Sequence, residues 1–153
     1  MAIEAPLSKY KKTNLKIAIV VCVVLGIWCA YDGYLNEKWI EDHTDSEGNP
    51  ETYLVFNRKA PFYLAAVAVL AGAYLFAVRN KKIIADENEL IISDKEKISY
   101  DSIQAIDKTH FGSKGFFTIT YEKTTGGQVA RKISDRKYDN LEAVLEHLVT
   151  KIS

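Results

Sequence analysis

Apolar positions fall in two long uninterrupted runs, Ile17 to Tyr31 and Ala60 to Val78, and beyond them break into short alternating segments. The second run holds 19 residues without a charge, enough at about 1.5 Å rise each to cross a hydrocarbon core of roughly 30 Å. The first holds 15, but Asn14-Leu15 before it and Gly33-Tyr34-Leu35 after it extend the span if Lys16 and Asp32 turn their charged ends toward water. The pattern predicts a two-helix transmembrane hairpin with spans over 17–35 and 60–78, a connecting loop over 36–59, a head over 1–16 and a separate α+β domain over 79–153.

Within the loop, Tyr34, Leu35, Trp39 and Ile40 keep helical spacing, Thr44 to Pro50 is turn chemistry, and Glu51 to Asn57 alternates as an extended segment does. Trp28, Tyr31, Phe62 and Tyr63 suit an interfacial aromatic belt. From Lys81 onward the chain predicts strands at 82–86, 89–93, 97–100, 102–108, 115–122 and 129–134. Glu87-Asn88 and Thr124-Thr125-Gly126-Gly127 supply turns between them. Asp139 with Glu142 predicts a capped start for a closing helix, whose stripe is Leu141, Val144, Leu145, Leu148 and Ile152. Residues 80–153 are near the lower size at which a single core suffices, so this part is expected to fold alone.

Charge sets the expected topology. The chain has 20 Lys+Arg against 20 Asp+Glu, unevenly distributed. Lys9, Lys11, Lys12 and Lys16 precede the first run, Arg79, Lys81 and Lys82 follow the second, and the loop between is acidic. The positive-inside bias places both termini in the cytoplasm and the loop outside, in a multi-pass protein of the cell (inner) membrane. A basic leader before a short apolar core is also the shape of a signal peptide. Cleavage after Ala30 would put Trp28 where a small residue is required, which favours an uncleaved anchor. The neutral balance, with no basic stretch interleaved with aromatics, argues against nucleic acid as a partner.

Small residues recur at four-residue spacing, Cys22, Gly26 and Ala30 on the first helix and Ala68 and Gly72 on the second. Such stripes let backbones approach closely in lipid and are the expected helix-packing surface, toward each other or toward another subunit. Neither run carries an ionisable residue in its interior, which lowers the odds of an ion or proton path through this chain alone.

The run Ile83-Ile84-Ala85-Asp86-Glu87-Asn88-Glu89-Leu90-Ile91-Ile92, followed by Ile98-Ser99-Tyr100-Asp101-Ser102-Ile103-Gln104-Ala105-Ile106-Asp107, resembles the bacterial pleckstrin-homology-like (PH-like) domain family, often found directly after a pair of membrane helices. The resemblance covers residues 80–153 and implies a bent antiparallel sheet capped by a C-terminal helix. The closing helix lacks the Trp common in eukaryotic PH modules, and no paired strand and loop gathers Lys and Arg around a phosphoinositide. The nearest basic cluster is Arg131, Lys132, Arg136 and Lys137, a candidate contact for anionic lipid or a partner, offset by Asp135 and Asp139. The loop His110 to Gly115 is a second candidate ligand holder.

No catalytic, cofactor or metal constellation is evident. His43, His110 and His147 lie in separate segments, and the acidic stretch around Gly48 would put His43 and Leu54 at the first and last positions of a calcium loop, where carboxylates belong. The expected function is therefore a non-enzymatic, membrane-anchored binding or scaffolding protein, an accessory or assembly subunit that meets other membrane proteins or itself. A lipid or signal sensor at the membrane surface, and a non-catalytic subunit of an enzyme or transporter, remain alternatives.

Overall fold

The computed structural model describes residues 1–153. The chain forms two compact units: residues 13–77 make one, while residues 1–12 and 78–153 together make the other.

The second unit is built on two antiparallel sheets and a helix. Strands β1 (Ile3–Pro6), β2 (Lys82–Ala85), β3 (Glu89–Ser93) and β4 (Glu96–Ser99) lie in that order in one sheet, and β5 (Ile103–Asp107), β6 (Phe116–Glu122) and β7 (Gln128–Ser134) make the other. All six strands expected after Lys81 are present, because period-two alternation gives each one buried face: Phe117, Ile119 and Tyr121 of β6 point into the core. Gly126 and Gly127 adopt φ of +87° and +95° in the β6–β7 turn, a conformation that costs glycine little. A single helical turn, α4 (Phe111–Lys114), links β5 to β6, and helix α5 (Leu141–Ile152) covers this core with Leu141, Val144, Leu145 and Leu148. Each such side chain removed from water contributes on the order of 1.5–3 kcal/mol before entropy is counted.

Strand β1 corrects the expectation that residues 1–16 are only a basic head and that the domain is made of residues after the second helix alone. Ile3 pairs with Ala85 and Pro6 with Lys82, so the first strand of the sheet comes from upstream of both long helices. Ala5 and Leu7 are 0% and 2% exposed and belong with the domain's buried residues. Pro6, which has no N–H to give, sits where a proline is tolerated, on a sheet edge. Leu7 N–H donates to the Lys81 carbonyl (2.9 Å), Ser8 N–H to Lys137 (2.9 Å), and Asp139 N–H to Pro6 (2.9 Å). The long helices and the segment joining them are thus an insertion between two neighbouring strands of one sheet.

The capping of α5 also differs. Asn140, at φ +61°, occupies its N-cap without a side-chain bond to the helix, its Nδ2 donating instead to the Glu4 carbonyl at 3.0 Å. The Asp139 carboxylate instead accepts the backbone N–H of Lys9 at 3.0 Å, satisfying an otherwise open donor at the start of α1 (Lys9–Ala30).

Helix α1 starts eight residues earlier than the apolar run, and α3 (Thr52–Val78) starts at Thr52, where an extended segment was expected. Once a helix is nucleated, each added residue gains a backbone bond, and this outweighs the weak strand preference of Tyr53, Val55 and Phe56. Leu54, only 1% exposed, anchors that first turn. Between the helices lie a wide turn at Tyr31–Leu35 and α2 (Glu37–Asp42). With α1 extended through that turn, both helices run 27 residues and are long and apolar enough to cross a membrane.

Candidate functional site

Residues of β7 alternate between the two faces of their sheet, and this divides the basic cluster expected at Arg131, Lys132, Arg136 and Lys137. Arg131 pairs with Glu96 of β4, Nη2 to Oε2 at 3.0 Å. Lys132 points to the other face, its Nζ 3.7 Å from the centre of the Phe116 ring. Lys137 leans on Tyr138, 5.4 Å from the ring centre. The four residues do not form one patch.

Two separate features replace it. The first is a cleft of about 650 Å³ between β4 and the β6–β7 hairpin, lined in part by Glu96, Lys97, Ser99, Val129, Ala130 and Arg131. Strand β4 pairs only with β3, and β7 only with β6, so each presents an unpaired edge. The cleft has both signs of charge. Tyr121 lines it too, and burial, with the nearby Glu96 carboxylate, pushes its phenol pKa up.

The second feature joins the segment from His110 to Gly115, expected as a loop but helical over Phe111–Lys114, to the end of β7. Phe116 is paired with Ser134, and Asp135 N–H donates to the Gly115 carbonyl at 2.8 Å. Gly115 is held at φ +68°, which favours glycine, and the Asp135 carboxylate occupies the space a Cβ would take. The result is a cavity of about 330 Å³ lined by Ser113, Lys114, Phe116, Lys132, Ser134 and Arg136. Sequence reading missed Lys114 as a companion of Lys132 and Arg136. Only the β6–β7 register brings them together.

The small-residue positions behave unequally. A Cβ on Gly26 would lie 3.7 Å from the Leu64 Cβ and 4.0 Å from the Pro61 Cα, so this glycine marks a close helix approach, whereas Gly72 faces open space. Ala68 is 9% exposed, while Cys22, Cys29 and Ala30 are half-buried and both thiols are free. At the far end of the hairpin, a Cβ on Gly33 would come within 3.0 Å of the Asn57 carbonyl group, and Arg58 Nε donates to the Gly33 carbonyl at 2.9 Å.

In the acidic turn, Asp45 accepts the N–H groups of Glu47 and Asn49 at 2.9 and 2.8 Å, and these bonds, that of Asn49 foremost, hold its pKa below the usual carboxylate range. His43 stacks on Trp39 with ring centres 4.0 Å apart. His147 approaches the Asp86 carbonyl with Nε2 at 3.0 Å, and no group of three or more His, Cys, Asp or Glu is placed to hold a metal ion.

Comparison of the chain with models of protein families, with curated proteins and with solved structures finds no match to any of them.

Proposed function

We propose that the chain is a membrane-anchored, PH-like binding module that serves as an accessory or assembly subunit, its domain holding an extended segment of a partner membrane protein. The observation that carries this reading is the cleft between the unpaired edges of β4 and β7. An unpaired edge offers backbone donors and acceptors to an incoming strand, and side chains of both signs beside it select the partner. The two-sheet order, four strands and three with a closing helix, supports the PH-like part of the reading once β1 is counted.

The anchor is the pair of long apolar helices. The chain leaves the domain at Lys12 and returns to it at Val78, so a hairpin crossing a bilayer has both its ends on the domain's side. The lysines and arginines flanking those ends favour the cytoplasmic side of the cell membrane.

The test uses the full chain in mild detergent, with a photoreactive residue placed at Ala130, at Lys97 or at Glu142 on the exposed face of α5. A stoichiometric membrane-protein partner cross-linked from Ala130 and Lys97 but not from Glu142 is the expected result. A partner that copurifies yet cross-links only from Glu142 would reject the cleft as the binding site.

A further inference from the structure

The second cavity, lined by Lys114, Lys132 and Arg136 with the hydroxyl-bearing Ser113 and Ser134, has no carboxylate in its lining. None of the three cations is among the residues that form ion pairs, in a chain with as many acids as bases. Three cations in no ion pair, with two hydroxyls beside them, suit a doubly charged phosphate better than a carboxylate, because charge-assisted bonds to several oxygens are available at once, although the Asp135 and Asp139 carboxylates of the adjoining cavity lie next to Lys114 and Arg136. The two walls are fixed to each other by the Phe116–Ser134 pairing and the bond from Asp135 N–H to Gly115. The backbone that carries the three exposed cations is therefore held in one register. Asp135 and Asp139 line the neighbouring cavity instead, together with Ser8 and Tyr10 on either side of the first residue of α1.

That neighbouring cavity shares Ser113, Lys114 and Arg136 with the basic one. Leu7, one residue before Ser8, is bonded to Lys81, which lies three residues past the last apolar residue of α3. Three residues of chain reach at most about 11 Å, so Lys81 lies within that distance of the end of α3.

We propose that Lys114, Lys132 and Arg136 form a site for a phosphomonoester, the terminal phosphate of a lipid headgroup or of a soluble phosphate ester. The inference takes only the membrane anchor from the function proposed above, and does not depend on the β4–β7 cleft.

The full chain in detergent is titrated calorimetrically with dioctanoyl phosphatidic acid and, separately, with glycerol phosphate. Saturable binding is expected, weakened more than tenfold when all three cations are replaced by Gln, and less than twofold by Arg131→Gln on the opposite face. Lys114→Glu, a single change at an exposed position at the end of α4, should reproduce most of the loss with the melting temperature unchanged. Tighter binding of phosphatidic acid supports the site and assigns it to a headgroup; equal binding of glycerol phosphate supports the site and assigns it to soluble esters. Binding that survives the triple replacement, or no binding of either probe, overturns the proposal.

Discussion

Leucine and valine are treated oppositely in two parts of this chain. On α5 they lie along one stripe, where Val144 and Leu148 are 0% exposed, and charged residues occupy the other face. On α1 no residue is buried, and on α3 Val69 and Leu70 are each 70% exposed. An amphipathic helix is stabilised by a protein core, whereas helices apolar all round are stable only in an apolar surrounding. The domain thus has a buried core of its own, the hairpin has helices long and apolar enough to cross a membrane, and the lesson is that a single sheet joins them, since β1 precedes the hairpin and β2 follows it.

An aspartate placed in each region sharpens the contrast. Leu145→Asp puts a carboxylate into the domain core without a partner and should cost about 3–5 kcal/mol, enough to abolish its cooperative melt. A melt left unchanged would remove α5 from the core. Leu70→Asp falls on a fully exposed position, harmless if α3 were solvated, yet it should cost about 2.5–3.5 kcal/mol of membrane insertion and reduce the inserted fraction in a translocation assay. In the inserted protein with Cys22 and Cys29 replaced, a cysteine at Ser46 should label from outside intact cells and one at Ser113 should not.

Smaller effects distinguish the two glycines of the hairpin. Gly26→Leu should weaken detergent-resistant helix pairing by about 1–3 kcal/mol because its Cβ would already touch Leu64 and Pro61 at van der Waals distance and the remaining atoms of the side chain must push between the helices. Gly72→Leu should leave the pairing intact, and any loss it causes should be in copurification of a partner. Equal effects of both on pairing would mean that the glycine contact is not what joins the helices.

The smallest expected effect is a titration. Burial, then the charges of Asp86 and Glu89, raise the Tyr100 pKa to about 12 from its ordinary 10, and its hydroxyl donates to the Asp86 carbonyl at 2.6 Å. A raised pKa in the folded state means that this contribution to stability is whole below pH 10 and is lost as pH rises toward 12. Tyr100→Phe should lower stability modestly at neutral pH and make the loss between pH 10 and 12 shallower than in the parent chain. Parallel stability curves would show that Tyr100 does not contribute to the alkaline loss.

How far the chain could be read in advance follows from signal strength. Strands β2 to β7 and α5 were legible because alternation such as Phe117, Ile119 and Tyr121, and the stripe through Leu141, Val144, Leu145 and Leu148, each specify one buried face. Ile3, Ala5 and Leu7 alternate too, but over so few residues, beside a lysine-rich stretch, that only the register with β2 gives the alternation meaning. Asp139 read as the cap of the helix next to it in sequence, and instead caps one 130 residues away. The candidate sites were legible least of all, since Arg131 and Lys132 are neighbours in sequence but point to opposite faces. Lys114 reaches Lys132 only through strand pairing.

The most direct test of the inserted hairpin compares two soluble proteins by thermal unfolding: residues 79–153 alone, and residues 1–8 joined by a short Gly-Ser linker to residues 81–153. The linker replaces the hairpin where Leu7 already meets Lys81 at 2.9 Å. The joined protein should melt cooperatively. Residues 79–153 alone lose β1 and the burial of Ala5 and Leu7, and should melt at least about 15 °C lower or without cooperativity. Equal melting of the two would contradict the account, because β1 would then be an ornament on a domain complete without it.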